Sequence, residues 1–133
     1  MIYKLYEYTE SIVWNPKQYQ DNEQKLFFRI SNIEFFAKMS MRYQKYRCSS
    51  ISEFSNKFCQ KMFDESKRDY DFITLICQFI TTLYKAMNKS NKKSSKTIWM
   101  SSQWFKEINE CVEKEIYPFK IQFKWMDIVE MLE

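Results

Sequence analysis

Any chemistry in this chain has to come from thiols, carboxylates and lysines, because the sequence holds no histidine and no glycine. Without histidine the commonest general base is missing, and with it every Ser-His, Cys-His and His-metal arrangement. Without glycine there is no Walker loop, dinucleotide fingerprint or nucleophile elbow. Cys48, Cys59, Cys77 and Cys111 are far apart and form no CxxC pair. Cys59, Cys77 and Cys111 fall among apolar helical positions, where a reduced thiol acts as a small hydrophobe. Asp64, Glu65, Asp69 and Asp71 gather in one segment that could meet a divalent cation. They lack the spacing and central glycine of an EF-hand loop, so a solvated turn is the simpler reading. Glu107, Glu110 and Glu113 stand three apart, as on the polar face of a helix. The sequence thus predicts no catalytic, cofactor-binding or metal-ligating residue, and a protein that is not an enzyme.

Charge is distributed unevenly. Net charge is +2 over residues 1–84, +5 over 85–96 and −3 over 97–133, within a total of +4. The middle segment, KAMNKSNKKSSK, reads as a flexible basic linker rich in Ser and Asn. Lys89, Lys92, Lys93 and Lys96 are its candidates for contact with an anionic partner, through phosphates or another acidic surface. A second basic cluster, Arg42, Lys45 and Arg47, alternates with Tyr43 and Tyr46. It suits the negative end of a helix dipole better than a nucleic-acid patch.

The element around which these groups must be arranged is Phe72–Tyr84, FITLICQFITTLY, the longest stretch without a charge. Its apolar residues surround most of a helical wheel, as expected of a helix in the middle of a domain. It is too short to span a bilayer, which needs about 20 residues. Around it the spacing predicts further helices. Ile2–Trp14 is the first, stopped by Asn15-Pro16 and with Trp14 folded back on the core. Asp21 with Gln24 has capping-box spacing before a helix that continues to about Tyr46, with a kink or split open at Ser31, where the same spacing recurs with Glu34. Ser50 with Glu53 caps another. Its stripe Ile51, Phe54, Phe58/Cys59 and Met62/Phe63 lies opposite Asn56, Lys57, Gln60 and Lys61. That stripe reads as core, and Phe54, Phe58 and Met62 are also candidates for a partner groove. Ser101/Ser102 precede a helix carrying Trp104, Phe105, Ile108, Cys111/Val112 and Ile116. Phe119–Trp125, FKIQFKW, alternates as a strand does and equally fits a helix through Ile121, Trp125, Ile128 and Leu132. With no glycine for tight hairpins, helices that close on Asn15, Asn22, Asn88 or Asn91 are favoured over sheets.

Two segments resemble known families. Trp99, Phe105, Ile108, Val112, Trp125, Ile128 and Leu132 follow the order of the opening two helices of a Myb/SANT repeat. The tryptophans are more widely spaced than in that family, and the third, recognition helix is not matched. Gln103-Trp104-Phe105-Lys106 is similar to the reading helix of homeodomains, with Glu107 where those carry the base-contacting asparagine. These resemblances imply a nucleic-acid-associated accessory role. The whole layout, an amphipathic helix closing at Trp14-Asn15 and others around FITLICQFITTLY, resembles the poxviral proteins with a B-cell-lymphoma-two-like fold. That resemblance implies an inhibitor of host death or immune signalling that acts by binding protein.

The expected architecture is all-α: one domain over 1–133, a bundle of five to seven helices around 72–84. The expected function is non-catalytic protein–protein interaction, as a small complex subunit or a viral-type inhibitor. Nucleic-acid association through the basic segment is the alternative. MIYKLYEYTE has no apolar run of signal-peptide type, which implies an intracellular setting. The scarcity of Ala and abundance of Lys, Asn, Ile, Phe and Tyr suggest an AT-rich genome. With 19% aromatic residues, some rings are expected to remain outside the core, as at interfaces.

Overall fold

The computed structural model describes residues 22–47, with side chains from Leu26 onward, and 50–133, together with Glu7, Glu10, Ser11, Val13 and Trp14. Six helices and no strand occur among the described residues: α1 (Asn22–Tyr46), α2 (Ile51–Ser66), α3 (Asp71–Ala86), α4 (Lys89–Met100), α5 (Gln103–Glu113) and α6 (Phe119–Leu132). The expected first helix falls mostly outside these residues, as do the Asp21–Gln24 cap and Cys48.

The charge-free run forms the heart of α3. Phe72, Ile73, Leu75, Ile76, Cys77, Phe79, Ile80 and Leu83 are all buried, because α1, α2 and α6 each pack against this helix. Its start is fixed by two acids. Asp69 accepts the Asp71 N–H at 3.0 Å and also accepts from Arg29 Nη1 of α1 at 2.8 Å. The Arg29 guanidinium is buried, 4.6 Å above the Phe72 ring, and 3.9 Å from Asp71 Oδ2. Desolvating a guanidinium is costly, so the pair fixes how α1 and α3 meet more than it adds net stability. Phe36 of α1, Phe58 of α2 and Phe79 of α3 meet with ring centroids 4.8 to 6.1 Å apart, and Trp14 closes over Phe58 at 5.0 Å.

α1 runs unbroken for 25 residues, with Ser31 exposed on its surface, so neither a split nor a second start occurs there. α2 begins as its sequence predicts: Ser50 Oγ accepts the Glu53 N–H at 3.2 Å. The segment read as a flexible linker is instead ordered as helix. Lys85 and Ala86 complete α3, and Asn88 caps α4 by accepting the Asn91 N–H at 2.9 Å. Two long-range contacts hold α4 in place. Ser95 meets Ser52 of α2 at 2.6 Å, and the buried Trp99 indole donates to Ser55 Oγ at 2.9 Å. Small serines let the two helices approach closely, a packing role hidden by a composition that reads as loop.

Trp104 and Trp125 repeat this device. Their indoles donate to Asn56 Oδ1 at 2.7 Å and Asn109 Oδ1 at 2.6 Å, tying α5 to α2 and α6 to α5. Accepting from the Trp104 indole, Asn56 is half-buried rather than on an outward polar face.

Between α5 and α6 the chain turns without glycine. Glu115 takes φ 55°, while the Glu115 and Ile116 N–H groups donate to the carbonyls of Val112 and Cys111 at 3.1 and 3.0 Å. These are the two bonds of a Schellman closure, with Glu115 in the position usually held by glycine. The asparagines named as closing residues serve differently: Asn22 and Asn88 stand at helix starts, Asn91 lies inside α4, and Asn15 is outside the described residues. Pro118 then begins α6, where its missing N–H leaves no bond unmade. Residues 119–125 are helical, and their alternation has a simple origin: Ile121 and Trp125 face inward while Phe119 and Phe123 face out.

Candidate functional site

The predicted groove residues are already occupied by the protein's own core. Met62 is 0% and Phe58 6% exposed, and half-buried Phe54 stacks on Phe58 at 5.9 Å. α1 covers this stripe through Phe36, so α2 offers no groove there. An amphipathic stripe in the sequence does not tell whether its cover comes from the same chain or another.

The four candidate lysines fare differently. In α4 they stand at i, i+3, i+4 and i+7, which places them on one face within about 100° of arc. Lys89 and Lys93 are exposed, Lys92 rests its ammonium 5.2 Å from the Tyr84 ring, and Lys96 Nζ reaches the Glu133 carbonyl at 3.4 Å. At the start of α4 a polar cavity of about 560 Å³ opens between Lys45, Ser50, Ser52, Asn88 and Asn91.

The acids do not converge. Asp69 and Asp71 face Arg29, and Asp64 accepts from Gln60 at 3.2 Å. Among the described residues no group of three or more Cys, Asp or Glu side chains could hold a metal ion. On α5, Glu110 pairs with Lys114 at 2.8 Å on the open surface; the bond holds the carboxyl below its usual range and the ammonium above its own. Cys59 and Cys77 are buried free thiols. Burial pushes the Cys77 thiol up to about 12, and burial with Cys77 nearby raises Cys59 well above its ordinary value. Burial and a hydrogen bond with half-buried Cys111 also raise the Tyr117 phenol. Both thiols of α2 and α3 therefore remain protonated at neutral pH and are poor nucleophiles.

The surface that sequence reasoning missed is the outer face of α6 and the turn before it. Ile116, Phe119, Phe123 and Met126 are 49, 68, 63 and 56% exposed, and Phe119 and Phe123 stack with centroids 6.4 Å apart. The opposite face of the helix is secured by Ile121, Trp125, Ile128 and Leu132, so these outer side chains are presented on a fixed support. Beside Met126 a shallow cleft of about 340 Å³ runs between α5 and α6, walled by Val112 and Val129. The signal was present in the sequence, since 116, 119, 123 and 126 follow a heptad, but it was masked by the inward residues interleaved with it. Phe27 and Phe35 on α1 are also exposed, without the same continuous spacing. No helix among the described residues is long and apolar enough to cross a membrane. In comparisons with known proteins, no family model, curated protein or solved structure matches this chain.

Proposed function

We propose that this chain is a non-catalytic helical protein that acts by binding protein through the outer face of α6. The observation that carries this reading is the run Phe119, Phe123 and Met126, held outward by a helix anchored from behind, with exposed Ile116 on the turn before it. Large apolar side chains in contiguous exposure are characteristic of interaction surfaces, and aromatic anchors dominate binding energy where they are covered. A subunit of a larger assembly and a viral-type inhibitor of host signalling both work this way; the latter rests on the resemblance in layout alone. The test is affinity capture with the wild type and with F119S/F123S, each first shown to have the same helical content by circular dichroism. Proteins recovered with the wild type and lost with the variant support the reading. Equal recovery overturns it.

The lysine face of α4 supports a second reading, a nucleic-acid-associated role in which these ammonium groups lie along a phosphate backbone. Four phosphate contacts would weaken binding about 100-fold between 50 and 200 mM salt. Titration of duplex DNA and RNA at both salts, with the K89S/K92S/K93S/K96S variant as control, tests this. A wild type whose binding is indifferent to salt, or matches that of the variant, removes the second reading.

A further inference from the structure

The chain carries no acid from Phe35 to Ser52 or from Phe72 to Lys106, and these stretches hold four and six lysines and arginines. The fold brings them together, because α1 ends and α4 begins beside the last turn of α3. Three concavities run in series there. The first, about 370 Å³, lies between Lys38 of α1 and Lys85 of α3 and meets the second at Ala86. The second is the polar cavity of about 560 Å³ at Lys45, Asn88 and Asn91, which meets the third at Ser94. The third, about 410 Å³, lies along Lys93 and Thr97 of α4. Every section of this trough thus contains a lysine. Lys93 also belongs to the lysine face of α4, so trough and face are one surface.

The lining indicates what such a surface takes. Apart from lysine it consists chiefly of Ser, Thr and Asn, side chains that with Lys and Arg make most protein contacts to phosphate. Its one acid among the described residues, Glu34, is half-buried and accepts from Gln78 Nε2 at 2.5 Å. No aromatic side chain lines the trough among the described residues, so unpaired bases find no ring to stack on. We infer that the trough and the lysine face of α4 together hold a nucleic-acid duplex by its phosphate backbone, without reading its sequence. On the nucleic-acid reading of α4, on which this rests, four lysines meet phosphates; the trough adds Lys38, Lys45 and Lys85 and makes paired strands the partner.

Fluorescence anisotropy of the full chain tests it, with a labelled DNA duplex, the RNA duplex of the same sequence, a scrambled DNA duplex and one DNA strand alone. Phosphatidylserine vesicles and polyglutamate, followed by co-sedimentation and by competition, are the other probes. Binding of either duplex supports the inference, the tighter one names the source, and the two DNA sequences are bound equally. Seven lysine–phosphate contacts give a slope of about −6 for the logarithm of the binding constant against that of salt concentration. K38S/K45S/K85S brings it to about −4. K57S/K67S/K120S, which removes the same charge outside the trough, leaves it unchanged. All six positions are exposed, and circular dichroism verifies that each variant is folded. Tighter binding of the single strand, the vesicles or polyglutamate than of duplex, a strong preference for one sequence, or equal effects of the two triple variants overturns the inference. If K38S/K45S/K85S binds as the wild type does while K89S/K92S/K93S/K96S does not, the trough falls and the reading of α4 stands. If no duplex is bound at about 50 mM salt, both fall.

Discussion

α3 and α6 are built from similar residues: each carries phenylalanines and isoleucines on more than one side of the helix. In α3 those sides all find neighbours, with α1, α2 and α6 packed around them. In α6 only the side bearing Ile121, Trp125, Ile128 and Leu132 is covered, and Phe119, Phe123 and Met126 face solvent. Apolar content alone therefore does not separate a structural helix from a binding one. What separates them is whether the chain itself provides the covering surface.

Four substitutions break or sharpen that contrast, in order of expected effect. A carboxylate at Ile76, which is 0% exposed on α3, is uncompensated by any partner. I76D is expected to lose at least about 5 kcal/mol, seen as loss of the cooperative thermal transition; a folded I76D chain would show that α3 is not the core. D69A removes both the acceptor of the Asp71 N–H at the start of α3 and the hydrogen-bond acceptor of buried Arg29. A loss of about 2–3 kcal/mol by urea denaturation is expected, and an unchanged midpoint would show that neither bond organises the junction. E115G relieves the left-handed φ of 55° that closes α5, and a gain of about 1 kcal/mol is expected, read as a raised urea midpoint. The smallest effect belongs to F123D. Phe123 is 63% exposed, so stability changes by no more than about 0.5 kcal/mol; cooperative unfolding as severe as that of I76D would erase the distinction between the two helices.

The helical class was legible in the sequence because 3.6-residue spacing recurs from Leu26 onward and no glycine favours hairpins. The central helix and the Ser50 cap were legible for the same local reason. α4 was not. Its Lys, Ser and Asn residues resemble a loop, and its contacts with Ser52 and Ser55 come from more than 40 residues away. The candidate lysines were named from the sequence, but their common face depended on that helix. The stripe of α2 was read first as core, which the structure bears out for Phe58 and Met62; the groove alternative for Phe54, Phe58 and Met62 stayed open because a stripe does not reveal that Phe36 covers it. The outer face of α6 was missed because Phe119, Ile121, Phe123 and Trp125 merge into one alternating pattern until the helix assigns them to opposite sides.

The two buried thiols make the core its own reporter. Alkylating reagents attack thiolate, and Cys59 and Cys77 keep their protons while enclosed between α2 and α3. Their labelling in the native protein must therefore wait for the core to open, so that the rate measures how often it does. Cys111, half-buried at the α5–α6 corner, is expected to label sooner. Mass-spectrometric readout of the three rates would give a clock for separate parts of the fold.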